Sequence, residues 1–159
     1  MSTGVYCLTA DEHKANAILT ALRGAGFTSE ISVLIEDHAE SRDMSVKEDA
    51  VRGAKIGSVV GALLALTLPG IGPVLAIGPL LAAVTGAAAG GAVGGLAGGS
   101  GVFGGVGLPE PVATRMKQGV SDGEILVSVH TDDPIKRQKA LAIFHAEQAN
   151  YIYEEQKAA

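Results

Sequence analysis

Two patterning regimes divide this chain: both ends show periodic apolar positions punctuated by charge, and the middle is an uninterrupted apolar, small-residue stretch. At the first end, residues 5–8 are a short apolar run with β-forming side chains. Thr9 follows, and Glu12 stands three positions later, the capping-box spacing that opens a helix. Ala15, Ile18, Leu19 and Leu22 then recur at i, i+3, i+4 and i+7, the stripe a helix buries on one side, and Gly24 and Gly26 stop it. Ile31, Val33, Leu34 and Ile35 form a second strand. Residues 36–49 are polar and read as a solvated linker or as a contact strip for a partner.

The other end repeats this plan. Residues 125–130 read as a strand, Asp133 as an N-cap with Pro134 at the first helical position, and Ala140, Leu141 and Phe144 as the buried stripe. Residues 151–153 read as a last short strand. At a constant offset of 122, Val5 falls on Val127, Thr9 on Thr131, Asp11 on Asp133, Lys14 on Lys136, Leu19 on Leu141 and Leu22 on Phe144. Strand end, cap and helix stripe coincide at one offset, which predicts two β-α-β units. Together they make an α+β, ferredoxin-like β-α-β-β-α-β sandwich, a four-stranded antiparallel sheet with two helices on one face.

Between the units, residues 56–109 contain no Asp, Glu, Lys, Arg or His. Gly53, Gly57, Gly61 and Ala65 place a small residue at every fourth position, as do Gly86, Gly90, Gly94 and Gly98, with Gly91, Gly95 and Gly99 beside them. Such rows let helix backbones approach closely. The proline and glycine cluster at residues 69–73 is a chain-turning signal. The stretch therefore predicts a glycine-zipper helical hairpin interrupting the sandwich between its second and third strands, with Gly57, Gly61, Gly86, Gly90, Gly94 and Gly98 as the self-association residues. Beyond it, Pro109 and Pro111 open a short helix carrying Val112, Ala113, Met116 and Val120, which ends within residues 119–123. The domain plan is residues 1–37 for the first half, 38–46 for a polar linker, 47–107 for the hairpin and 108–159 for the connecting helix and second half.

The environment of that hairpin is contested by its own residues. Each interior helical glycine costs roughly 1 kcal/mol relative to alanine, so packing or lipid must hold the second arm. Residues 56–68 rise about 20 Å as a helix, short of the roughly 30 Å hydrocarbon core. Tryptophan is absent from the chain, and no tyrosine flanks the apolar ends. Lys47, Arg52 and Lys55 lie before the segment, Arg115 and Lys117 after it, and the turn is uncharged, the pattern of a hairpin with both termini on the cytoplasmic side.

Net charge is −5 with acidic and basic residues interspersed, which gives no electrostatic footprint for nucleic acid. Cys7 is the single cysteine, so neither an internal disulfide nor a multi-cysteine metal site can form, in keeping with a reducing compartment. The first residues lack the basic and apolar regions of a secretory signal.

The order of motifs is a short β-α-β unit, AVRGAKIGSVVGALLALTLPGIGP, TGAAAGGAVGGLAGG, and then GLPEPVATRMKQGVSDGEILVSVHTDDPIKRQKALAIF. This resembles the bacterial general-stress proteins, described as heat-induced or low-temperature-induced, whose central segment is a glycine zipper. The resemblance covers most of the chain and implies a stress-associated, membrane-associated protein of undefined molecular activity, with no catalytic residues to carry over. The ending HAEQANYIYEE departs from the family's glycine-containing turn, which leaves the last strand as the element least supported by it.

Residues able to bear chemistry are few. His130, Asp132 and Asp133 form a polar trio, but Asp before Pro at a helix start is a cap. His13, His38 and His145 lack ligand spacing, and Cys7 on a strand reads as a small buried residue. The glycines at 104–107 lack the preceding strand, the Lys-Ser/Thr ending and the acidic ribose ligand of nucleotide loops. The expectation is a non-enzymatic structural protein without cofactor or metal that self-associates as a homo-oligomer. Its hairpin inserts or packs at the lipid of the inner membrane, with the soluble domain cytoplasmic. The alternatives are a cytoplasmic ring or shell that buries its hairpins in a protein-only core, and a module that binds a small effector between paired sheets.

Overall fold

A computed structural model describes residues 3–36, 64–68, 72–80, 103 and 108–156. Strand β1 (Thr3–Thr9) leads through Asp11 into helix α1 (Glu12–Gly24), and strand β2 (Ile31–Glu36) follows. The cap is Asp11, whose carboxylate accepts the Lys14 N–H at 2.9 Å, and not Thr9. Thr9 remains in β1 opposite Ile125, and its hydroxyl donates to the Asp11 carbonyl.

Strands β3 (Leu64–Leu68) and β4 (Gly72–Ile77) form an antiparallel hairpin with Leu68 opposite Gly72 and Leu64 opposite Ala76. This corrects the end of the expected first helical arm, residues 64–68, while residues 47–63 of the expected hairpin over 47–107 lie outside the described residues. The proline and glycine cluster does turn the chain, but into paired strands. Pro73 would break a helix, and the outer edge of β2 offers main-chain partners to β4 from Val33↔Ile77 to Glu36↔Val74. Pro79 and Leu80 are helical, and most of the expected second arm lies outside the described residues.

Helix α2 (Glu110–Ser121), strand β5 (Ile125–Thr131), helix α3 (Pro134–Ala146) and strand β6 (Tyr151–Glu154) complete the chain. Asp133 caps α3 through the Ile135 N–H at 2.8 Å. Among the described residues the sheet has six strands, not four, in the order β3-β4-β2-β5-β1-β6, and every neighbouring pair is antiparallel. The repeat is visible in its bounds: β1 and β5, and α1 and α3, start and stop 122 residues apart. The units interleave, β5 lying between β1 and β2 and β1 between β5 and β6.

Alternation sends Val5, Cys7, Val33, Val127 and Val129 to one face, where α1 and α3 close over them with Ile18, Leu19, Leu22, Phe27 and Phe144. Leu141, the repeat partner of fully buried Leu19, is only half-buried at the margin of this core. The opposite face is covered as well. Tyr6, Leu8, Leu34 and Leu126 meet Val112, Ala113, Met116 and Val120 of α2, and Val74, Ala76, Leu80, Phe103 and Leu108 join them. All seven residues of β1 are consequently buried. The sheet is thus sandwiched, with helices on both faces.

Candidate functional site

The second face concentrates the polar chemistry of the fold. Register places Tyr153, Tyr6, Ser128 and Ser32 in one row across β6, β1, β5 and β2, because Tyr6 stands opposite both Tyr153 and Ser128, and Ser128 opposite Ser32. In the adjoining row Gly4 stands opposite His130. With no side chain at Gly4, the Tyr6 ring lies over its backbone, where a Cβ would collide with the ring. His130 meets Tyr6 edge-on, the ring centroids 5.5 Å apart, and Tyr153 flanks Tyr6 at 6.4 Å. Ser128 Oγ and His130 Nε2 are 2.9 Å apart, in a hydrogen bond whose direction follows the imidazole tautomer.

Burial sets the ionisation of this cluster. Desolvation lowers His130 from 6.5 to about 4, so the imidazole is neutral at pH 7. Desolvation, with the Glu155 and Tyr153 charges adding to it, pushes Tyr6 far above the ordinary phenol range. The Glu155 carboxylate accepts the Gly4 N–H at 3.0 Å, and the Glu155 N–H returns to the Gly4 carbonyl at 2.9 Å. A serine–histidine pair suggests nucleophilic catalysis, yet Ser128 is fully buried and no described carboxylate orients His130. The cluster is an interior contact: the Ser128–His130 hydrogen bond lies within β5, and the Tyr6 ring links β1 to His130 of β5 and Tyr153 of β6.

A second group fastens α2 to the sheet. Arg115 Nη1 pairs with Glu124 Oε2 at 2.8 Å and its guanidinium stacks over Tyr151 at 5.3 Å. Asn150 donates to the other Glu124 oxygen at 3.0 Å, and the Arg115 hydrogen bond holds Glu124 below the usual carboxylate range. Where the chain passes from β4 into residues 79–80, Gly78 crosses against the backbone of Ile31 and Ser32, and Ser32 Oγ accepts the Leu80 N–H at 2.9 Å. The Arg115–Glu124 group fixes α2, which follows the charge-free segment, and the contacts to Ile31 and Ser32 tie residues 78–80 of that segment to β2.

The sequence-derived candidates are scattered. Gly57, Gly61, Gly86, Gly90, Gly94 and Gly98 lie outside the described residues, as does His38. His13 and His145 are exposed on different helices, Asp133 is a cap, and Asp132 is exposed. Cys7 is buried, and burial pushes its thiol well above the ordinary range. Among the described residues no group of His, Cys, Asp and Glu is arranged to hold a metal ion, and no helix is long and apolar enough to cross a membrane. Sequence reasoning missed the Tyr6–Ser128–His130 cluster. Its signal was the alternation of Ser128 and His130 with Val127 and Val129, readable only once the strand register is known. No protein-family profile, curated protein or solved structure matches this chain.

Proposed function

We propose that this chain is a non-enzymatic, self-associating structural protein whose α+β domain holds a charge-free, glycine-rich segment at a membrane. The observation behind this reading is that residues 56–109 carry no charge, and that within them residues 81–102 are flanked by side chains buried in the domain, Val74, Ala76 and Leu80 before and Phe103 and Leu108 after. A domain that buries residues on either side of an apolar stretch suits presentation of that stretch. The four flanking strands β2-β5-β1-β6 with α1 and α3 support a ferredoxin-like reading of the domain, to which β3 and β4 add a hairpin beyond β2. The motif order that resembles the general-stress proteins supports a stress-associated role. Lys47, Arg52 and Lys55 support a cytoplasmic side for the domain, while Arg115 is already engaged with Glu124.

A second reading is a protein-only assembly that needs no lipid. It is favoured by β3 and β4, which give part of the apolar segment to the sheet and shorten what remains for lipid. The small-effector module loses support, because α2 occupies the sheet face on which two sheets would pair. An alkaline wash of the membrane fraction separates the first two readings. A lipid-held segment stays with the pellet, and release of the whole protein to the supernatant excludes that reading and leaves the protein-only assembly.

A further inference from the structure

β3 and β6 are the end strands of the sheet, and they are protected unequally. β6 is four residues long and carries Glu154, paired with Arg137 at 3.0 Å, with Glu155 next to it. Charges of that kind blunt an edge against pairing with another chain. β3 reads Leu-Ala-Leu-Thr-Leu, with no charge and no proline, and Leu64 at its start is 59% exposed. Among the described residues, β3 pairs only with β4.

The register also settles which β3 groups face outward. Thr67 stands opposite Pro73, which has no N–H, so this pair is one that exchanges no hydrogen bonds, and Leu66 exchanges both with Val74. Backbone alternation then turns the N–H and C=O of Ala65 and Thr67 away from β4, toward the edge that no described strand pairs with.

We propose that two copies of this chain join edge to edge, β3 against β3 in antiparallel register about a two-fold axis at Leu66. This inference rests on the self-association reading above and names its interface. The strand is a near-palindrome: the two-fold sets Leu64 opposite Leu68, Ala65 opposite Thr67 and Leu66 opposite itself. Ala65 and Thr67, the residues with outward backbone groups, exchange four hydrogen bonds across the axis. Charge selects a second copy as the occupant. At a net charge of −5 two copies repel overall, whereas no charged residue lies between Lys55 and Glu110, so this edge meets its own copy with no like charge brought together. The product is a continuous twelve-stranded sheet.

Thr67→Pro tests this directly, because it deletes an outward donor and leaves the Leu66–Val74 exchange intact. In sedimentation of the full chain, with circular dichroism confirming the fold, it raises the concentration needed for the dimer at least tenfold, two net hydrogen bonds being lost per dimer. Leu66→Cys gives an independent reading. Residues facing each other in a non-hydrogen-bonded pair have Cα atoms about 4.5 Å apart, within disulfide reach, so mild oxidation yields a linked species at twice the 16.0 kDa chain mass. Buried Cys7 does not compete. An unlinked Leu66→Cys chain, or a folded Thr67→Pro chain that keeps the wild-type mass, overturns the proposal. If Gly90→Leu with Gly94→Leu lowers the mass while Thr67→Pro does not, copies meet through the glycine rows; the β3 interface is then wrong and self-association stands. A wild-type chain that stays at 16.0 kDa at every concentration overturns both.

Discussion

Replacing Gly78 by alanine adds one methyl group at the joint that ties the charge-free segment to the sheet. Gly78 has φ of +94°, a backbone conformation that costs an L-residue about 1–2 kcal/mol. The new Cβ meets the Ile31 carbonyl oxygen and lies 2.8 Å from both Ser32 Cα and Ser32 Oγ. Two of those atoms are backbone in the middle of the sheet, so relief requires moving β4 away from β2, and overpacking of this kind adds about 1–3 kcal/mol. Ser32 Oγ also holds the Leu80 N–H, so displacement loosens the path into the apolar segment. The sum is a destabilisation of about 2–5 kcal/mol, read as a lowered urea midpoint with unchanged slope by circular dichroism of the full chain. Gly24→Ala is the matched control. Gly24 ends α1 with nothing within 4 Å of an added Cβ, so the same substitution there stabilises by up to about 1 kcal/mol. A Gly78→Ala loss below about 0.5 kcal/mol would refute the close approach of Gly78 to Ile31 and Ser32 and the anchoring that depends on it.

Leu19→Ala, in a fully buried site, costs about 2–5 kcal/mol in the same unfolding assay, and Leu141→Ala, half-buried, costs about half as much; a silent Leu141→Ala would remove α3 from the core. Asp11→Ala and Asp133→Ala each cost about 1 kcal/mol, the two caps being equivalent by the repeat, and a zero cost at either site rejects that cap. His130 binds its proton less tightly folded than unfolded, so between pH 6.5 and about 4 the unfolded state takes up more protons and stability falls as pH drops. The loss is on the order of 3 kcal/mol by the lower end of that window, and His130→Phe flattens it; an unaltered pH profile in the variant would show that His130 is solvated.

The charged flanks were legible because capping, helix periodicity and strand alternation are local. Asp133 with Pro134, the stripe Ala15, Ile18, Leu19 and Leu22, the amphipathic α2 and the offset of 122 all appear in the fold with their expected bounds or within a residue or two. The cap at Asp11 was misplaced to Thr9 because both residue types cap helices, and only the length of β1, fixed by its pairing with β5, decides between them. β3 and β4 escaped because an apolar run of five or six residues has no periodicity of its own. It becomes a strand only when a neighbouring edge, here β2, supplies main-chain partners. The Tyr6–Ser128–His130 cluster escaped for the same reason, since cross-strand register is a tertiary fact. Leu141 lost its full burial because α3 sits at the margin of the core that Leu19 enters centrally.

The central claim is that the charge-free segment draws copies of this chain together. The most direct measurement is the mass of the purified full chain by light scattering across a concentration series, beside the Gly90→Leu, Gly94→Leu double variant. The account predicts a wild-type mass at a multiple of 16.0 kDa and a smaller mass for the variant, because leucine adds bulk to rows of small residues of the kind that favour close helix contact. A wild-type chain that remains at 16.0 kDa throughout would contradict it.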